Sequence, residues 1–186
     1  MITCQRVREL FFYDPVTGHV FKKNYGVRHG QYFGRPIGGF DSRGYRRCVI
    51  DGRAHLLHRI IWLHVYGEWP TQPIDHINRD KGDNRLCNLR LVTHKQNGIN
   101  QGVRSNNTSG FRGVATVKGR YFCAKVQRDG KRVCLPLRRS AEDAAVDYIS
   151  EMLRINGEFF ADYIRREAAN EPRGNLANLL HRIPSI

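Results

Sequence analysis

The sequence predicts an α+β chain of two small units, the second being a three-stranded antiparallel sheet packed on one helix. Three observations carry that prediction. Within residues 1–100, hairpin patterns surround one amphipathic helix, and the segment ends in the order strand, polar loop, strand, helix. Residues 109–160 hold three short strand patterns followed by an alanine-rich helix. Charge is segregated: residues 1–100 carry 16 Lys/Arg against 8 Asp/Glu, residues 104–139 carry 10 against 1, and residues 140–186 carry 5 against 8. The chain therefore reads as a first domain over 1–100, a linker over 101–108, a second domain over 109–160 and a partly helical tail over 161–186.

Each element has a local reason. Residues 13–21 read as strand, turn, strand, with Pro15 and Gly18 supplying the turn geometry. Residues 44–57 read as a second hairpin about Asp51-Gly52. Leu56 to Tyr66 has helical spacing, with Leu57, Ile60, Ile61, His64 and Val65 on one face, and Gly67 and Pro70 stop it. His55, His58 and His64 lack a supporting set of carboxylates, which favours core or capping roles over metal binding. Further on, strand patterns cover 111–118, 120–128 and 131–137, with turns at Gly119 and Asp129-Gly130. Ser140 opens a helix with Asp143 as its capping partner, and Ala141, Ala144, Ala145, Tyr148, Ile149 and Met152 form the apolar stripe. The tail offers a helix near Tyr163–Ala169, broken before Pro172, and then Leu176, Leu179, Leu180 and Ile183 at helical spacing.

Composition bounds the function. The chain is 40% hydrophobic and 26% charged, as folded domains are, but its formal net charge is +14. That excess calls for a polyanionic partner. No run of about 18 apolar residues is present, so no membrane span is expected, and the N-terminus lacks the apolar core of a secretion signal. The five cysteines are widely spaced with no Cys-x-x-Cys, which argues for free thiols in a reducing compartment rather than a disulfide framework or a structural zinc site. Cys123 and Cys134 face each other across the expected hairpin as a matter of proximity.

The densest chemistry lies in residues 73–97. Ile74 and Asp75 end one strand, residues 77–88 form a polar loop, and Leu89 to Val92 form the return strand. Thr93 then caps a helix that carries Asn97. Folding this back sets Asp75 and His76 beside the helix of Asn97. A carboxylate and an amide carbonyl are hard oxygen donors for Mg2+ or a similar ion. A neutral imidazole beside such an ion takes a proton from water near neutral pH.

Asp75-His76…Asn88-Leu89…Asn97 resembles the HNH endonuclease motif, in the phage and intron-homing branch whose last position is Asn. Gly44-Tyr45-Arg46, Asp51-Gly52, His58-Arg59 and Trp69-Pro70 resemble the part of those nucleases that precedes the motif. Residues 109–160, from Ser109-Gly110-Phe111-Arg112 through Ser140-Ala141-Glu142-Asp143 to Gly157-Glu158-Phe159-Phe160, resemble an AP2 DNA-binding domain. The resemblance implies a ββα-metal nuclease domain in the first unit. It implies one divalent cation, Mg2+ or Mn2+, on Asp75 and Asn97, with His76 as general base and Asn88 tying the loop by backbone hydrogen bonds. Asn84 is the other candidate for that tie, and His94, one turn before Asn97, is a candidate phosphate contact. Arg79, Lys81, Arg85 and Arg90 surround the motif as candidates for flanking phosphates.

In the second unit, Lys125, Gln127, Arg132 and Arg112 are expected opposite the helix, with Arg120 nearby, on a face suited to the major groove. Tyr121 and Cys134 stand near positions where that family often has Trp. The implied function is a metal-dependent endonuclease of double-stranded DNA, leaving 5′-phosphate and 3′-hydroxyl ends, in the cytoplasm of a bacterial host and often phage-encoded. Monomer and homodimer both suit it. The alternative is a DNA-binding regulator with a degenerate nuclease fold, and the intact Asp75, His76 and Asn97 set argues against that. An RNA-binding role is disfavoured because no aromatic stacking stripe marks a known RNA module.

Overall fold

The computed structural model describes residues 2–23, 34–103, 105–170 and 176–183. Residue 104 of the expected linker, the expected break before Pro172 and residues 184–186 of the expected tail lie outside them. The chain divides into two compact units, Met1–Gly98 and Ile99–Ile186.

The first unit begins with α1 (Cys4–Leu10), whose N-cap Thr3 accepts from Arg6 N at 3.2 Å. A hairpin follows, β1 (Phe11–Asp14) against β2 (His19–Lys22), paired Phe12↔Phe21 and Asp14↔His19. Then β3 (Gly39–Phe40), β4 (Arg46–Ile50) and β5 (Arg53–Leu56) form an antiparallel sheet in that order. The tight turn between β4 and β5 places Asp51 and Gly52 at φ 47° and 75°, the paired left-handed conformation that Asp-Gly adopts readily.

Next comes α2 (Leu57–Tyr66), closed by Gly67 in the left-handed region, whose N–H returns to Leu63 O at 3.0 Å. Arg8 of α1 donates to His64 O and Val65 O, two carbonyls the end of α2 leaves open. The buried face of α2 is Leu57, His58, Ile60, Ile61 and Leu63, with His64 and Val65 only half-buried. That face is rotated from the expected stripe because α2 packs on α1 as well as on β4 and β5. Leu57, Ile60, Ile61 and Leu63 join Val7, Phe11, Val20, Ile50, Ile74 and Leu89 in one core.

The unit closes with β6 (Ile74–His76), β7 (Leu89–Leu91) and α3 (His94–Ile99), whose last residue falls at the unit boundary. The first hairpin braces the loop between β6 and β7. Tyr13 Oη donates to Asn84 O at 3.0 Å and accepts from Leu86 N at 3.1 Å. Gly18, at φ 73°, lies so close that a Cβ there would sit 2.5 Å from Arg85 N.

In the second unit β8 (Val114–Val117), β9 (Tyr121–Arg128) and β10 (Lys131–Cys134) form an antiparallel sheet with β9 central. Ala124 and Val126 of β9 are buried with Tyr148 and Ile149 of α4 (Ala141–Asn170). Ser140 Oγ caps α4 by accepting from Asp143 N at 3.1 Å. The helix does not stop soon after Met152, where the apolar stripe ends. It breaks at Gly157, with φ 52° and ψ −138°, and resumes. Phe160, Tyr163 and Ile164 after the break are buried with Ile183, so residues beyond 160 build the core of this unit instead of trailing from it. Leu176–Ile183, read as helical spacing, contains a short 3-10 helix, Ala177–Arg182. Among the described residues no helix is long and apolar enough to cross a membrane.

Gly18→Ala tests the bracing of the loop. A side chain at positive φ, pressed on the Asn84–Arg85 backbone, is expected to destabilise the first unit by about 2 kcal/mol or more in urea unfolding.

Candidate active site

The site is built on β6 and β7. Their register sets Asp75 opposite Arg90 and His76 opposite Leu89, and Ile77 N continues the ladder by donating to Asn88 O at 2.8 Å. Residues 77–88 close a loop whose turns are made by acidic and amide side chains. Asp80 N donates to Asn78 Oδ1, Gly82 N donates to Asp80 Oδ1, and Asn78 Nδ2 donates to Asp83 Oδ2. Arg79 takes φ 67°, and its N–H donates to His76 O at 2.9 Å. Asn88, buried at the end of the loop, joins its two sides. Its Oδ1 accepts from Asn78 N at 2.9 Å and its Nδ2 donates to Asp83 O at 2.8 Å.

His76 is 4% exposed. Its Nε2 lies 3.1 Å from Oδ1 of Asn84, a fully buried residue. Asn84 Nδ2 donates to Gly82 O, so the amide presents its oxygen to the ring. On that assignment Nε2 of His76 carries the proton and Nδ1 carries the lone pair. Burial pulls the imidazole below its ordinary range, and Asn84, Asp75, Asp80 and Asp83 oppose that pull. The ring is therefore neutral at pH 7. Two more rings surround it: His58 at 5.1 Å between centroids and perpendicular, and Tyr45 at 5.9 Å. Tyr45 is held in place by Asp41, whose Oδ1 accepts from both Arg43 N and Tyr45 N.

Asp75 is 7% exposed and meets Arg90, whose Nε and Nη2 both lie 3.0 Å from Oδ2. A guanidinium fork compensates a buried carboxylate, and a carboxylate keeps further lone pairs for a second partner. Asn97 stands half-buried in α3, with its N–H on Thr93 O at 2.9 Å. Thr93 and Gln96 cap α3 reciprocally: Gln96 N donates to Thr93 Oγ1 and Thr93 N donates to Gln96 Oε1. Among the described residues no cluster of three or more His, Cys, Asp or Glu is placed to hold a metal. A carboxylate with an amide oxygen nonetheless suits a hard cation that keeps part of its water shell.

The expected cations divide. Arg79 is exposed on the loop. Lys81 donates to Arg43 O and lies over the Tyr45 ring at 4.7 Å. Arg85 forms a two-pronged pair with Asp83, at 2.8 and 2.6 Å. Arg90, expected at a flanking phosphate, is instead the partner of Asp75, and its side chain is 18% exposed. His94 is exposed.

In the second unit Lys125, Gln127 and Arg132 are exposed, with Arg132 opposite Gln127. Arg120 is exposed and lies over Tyr121 at 5.1 Å. Arg112 departs from the expected face. Its guanidinium donates to Ile99 O, Gln101 O and Tyr163 Oη and lies over the Tyr163 ring at 5.3 Å. Those acceptors come from the end of α3, the segment after it and the far part of α4, which no strand periodicity reveals. Arg128 and Arg138 pair with Glu151 and Asp147 of α4. The acidic helix thus neutralises cations at the sheet margin and leaves those of the exposed face.

Asn84, His58 and Tyr45 as neighbours of His76, and Arg90 as the partner of Asp75, go beyond the sequence reading. The hairpin register alone pairs Asp75 with Arg90. His58 follows the core residue Leu57, and its place in the pair His58-Arg59 says nothing of His76 as its neighbour.

Residues 55–99 match the family model described as HNH endonuclease. An uncharacterized HNH endonuclease of Acanthamoeba polyphaga mimivirus is 33% identical over 107 residues, which is 56% of this chain and 55% of the viral protein. The chain thus spans about half the length of the curated relative it matches. A solved structure, described as DNA binding and cleavage by the HNH homing endonuclease I-HmuI, aligns at 19% identity with a TM-score of 0.36, over 80% of this chain and 88% of that one.

Burial and the nearby His76 push the His58 ring down to about 3. The unfolded chain binds that proton near pH 6.5 and the folded chain does not, so the cost is absent above pH 6.5 and grows as pH falls toward 3. Between pH 7 and 5, wild type is expected to lose about 2 kcal/mol more in urea unfolding than His58→Leu does, the slope reaching about 1.4 kcal/mol per pH unit only below pH 6.

Proposed function

We propose that the chain is a metal-dependent endonuclease of double-stranded DNA, with the first unit cutting and the second gripping the duplex. The observation that carries this reading is the pairing of a buried, neutral His76, oriented by Asn84, with the adjacent carboxylate of Asp75. The match of residues 55–99 to the HNH endonuclease model supports it.

His76 Nδ1 accepts the proton of the attacking water while Nε2–H stays on Asn84. The water attacks phosphorus in line, the bond to the 3′ oxygen breaks and that oxygen takes a proton from solvent water, leaving a 5′-phosphate and a 3′-hydroxyl. Asp75 and Asn97 would hold one divalent cation, Mg2+ or Mn2+, which would supply charge stabilisation to the phosphate and the departing oxygen. Arg90 keeps the Asp75 carboxylate oriented. Asn88 touches no reacting atom in this scheme; it maintains the loop that carries Asn84. Arg79 and Lys81 hold flanking phosphates, and Lys125, Gln127, Arg132 and Arg120 form the gripping face of the second unit.

Plasmid cleavage with Mg2+ tests the reading. His76→Ala is expected to cut at least about 100-fold more slowly with duplex binding retained; equal cutting by both proteins removes His76 from its role. The acid limb of the kcat/KM profile should fall below the ordinary histidine value of about 6.5, since burial favours the neutral base and protonation ends activity as pH drops. The double variant Lys125→Ala/Arg132→Ala is expected to weaken duplex binding and to lower the slope of log K against log salt by about 2, with the cation requirement unchanged.

A further inference from the structure

The rim of the loop 77–88 carries an aromatic ring that the core does not use. Phe40 of β3 pairs with Arg46 of β4, and so shares the face that carries Cys48 and Ile50 into the core. It nonetheless lies outside that core and is 64% exposed. A single exposed apolar side chain is ordinary on a protein surface. A ring held from two sides is a built feature. The guanidinium of Arg46 lies over the ring, 4.8 Å from its centroid. The ring edge rests on Gly82, where a Cβ would come within 3.0 Å of Cε1. The support is stiff. Phe40 directly precedes a turn that Asp41 closes by accepting from Arg43 N and Tyr45 N, and Lys81 Nζ ties that turn to the loop by donating to Arg43 O at 2.8 Å. Gly82 O in turn accepts from the Asn84 amide that orients His76. The ring is thus set on the same framework as the candidate general base.

The surroundings are cationic. Arg43 and Arg47, on the turn and on β4, are exposed, and Arg79 is exposed on the loop that carries Gly82. The acids Asp41 and Asp80 accept from backbone N–H groups. A flat apolar surface between cations complements stacked bases between lines of phosphate. A protein partner would need a broader apolar patch, and Val49, the other large exposed apolar residue of this sheet, is on its opposite face. We propose that Phe40 is a wedge that enters the duplex between two neighbouring base pairs beside the bond to be cut, with Arg46 backing the ring and the neighbouring cations on the flanking phosphates. This rests on the reading of the first unit as acting on double-stranded DNA. Every base offers a face to an aromatic ring, so the contact grips without reading sequence directly. Parting two base pairs lowers the twist between them and bends the duplex, which opens the backbone toward His76.

The test uses full-length wild type, Phe40→Ala and Phe40→Trp, with EDTA present to keep the plasmid closed. A metal-independent topoisomerase relaxes the plasmid while each protein saturates it, which reads unwinding. Duplex and single-strand Kd against salt, Tm and Mg2+-dependent cleavage are measured alongside. Wild type is expected to shift the topoisomers to lower linking number. Phe40→Ala should lose that shift and bind the duplex about tenfold more weakly. Its slope of log K against log salt should be unchanged, since no phosphate contact is removed, and its Tm should hold, since the ring is mostly exposed. Phe40→Trp should keep the shift, and its emission above that of wild type should be quenched by the duplex. Equal topoisomers with wild type and Phe40→Ala, or dependence on Phe40 for single-stranded but not duplex DNA, overturns the proposal. So does a fall in Tm and cleavage with topoisomers unchanged, which marks the ring as a prop for Gly82. If wild type unwinds the plasmid through Phe40 but does not cut it with Mg2+, the endonuclease reading fails and the wedge stands. If wild type cuts while its topoisomers do not depend on Phe40, this inference alone falls.

Discussion

The loop 77–88 has few apolar groups to give it a shape, and the amide of Asn88 takes over that task. One side chain accepts from Asn78 N and donates to Asp83 O, so the two sides of the loop close on a single planar group. Everything next to His76 depends on this closure. Asn84 reaches the ring only because the loop returns over β6, and Tyr13 and Gly18 press on the same stretch from the first hairpin. Buried amides hold such positions well because both donors and both lone pairs can be satisfied at fixed angles.

Charge burial is handled by a different rule. Asp75 is taken almost wholly out of water, which is costly for an ion unless a partner comes with it. Arg90, directly across the ladder, supplies that partner, its Nε donating to Oδ2. The second unit solves a surface problem instead. Acids on α4 meet Arg128 and Arg138, while Lys125 and Arg132 point away on the open side of the sheet. The same sign change that marks the sequence near Ser140 thus sorts cations into paired and exposed sets.

Much of this was legible without coordinates. Asp51-Gly52 specifies its turn through local backbone preference, and the strand, loop, strand, helix order over 74–99 follows from turn formers and a Thr93 cap. The three short strands and the capping role of Ser140 are likewise local. What was not legible depended on contacts distant in sequence. The packing beyond Gly157 is one case: a helix near Tyr163–Ala169 can be read from spacing, but not that Phe160 and Ile164 are buried in one core with Tyr148 and Ile149. Arg90 and Arg112 are others. A sequence shows that an arginine is present but not whether a carboxylate or a pair of carbonyls will claim it. His58 belongs here too, since periodicity marks the core face of α2 without saying that the face ends at a second imidazole.

Arg112 also bears on how the second unit can be handled in isolation. Its guanidinium clasps the carbonyls of Ile99 and Gln101, which lie upstream of the first strand of that sheet, and it reaches Tyr163 far along α4. A fragment begun after the apparent linker, at residue 109, would lose both of those carbonyls and leave Arg112, which does not deprotonate at any pH proteins tolerate, with fewer acceptors. Expression boundaries for this module therefore belong before Ile99, at the end of the preceding helix, even though composition places the cut some ten residues later.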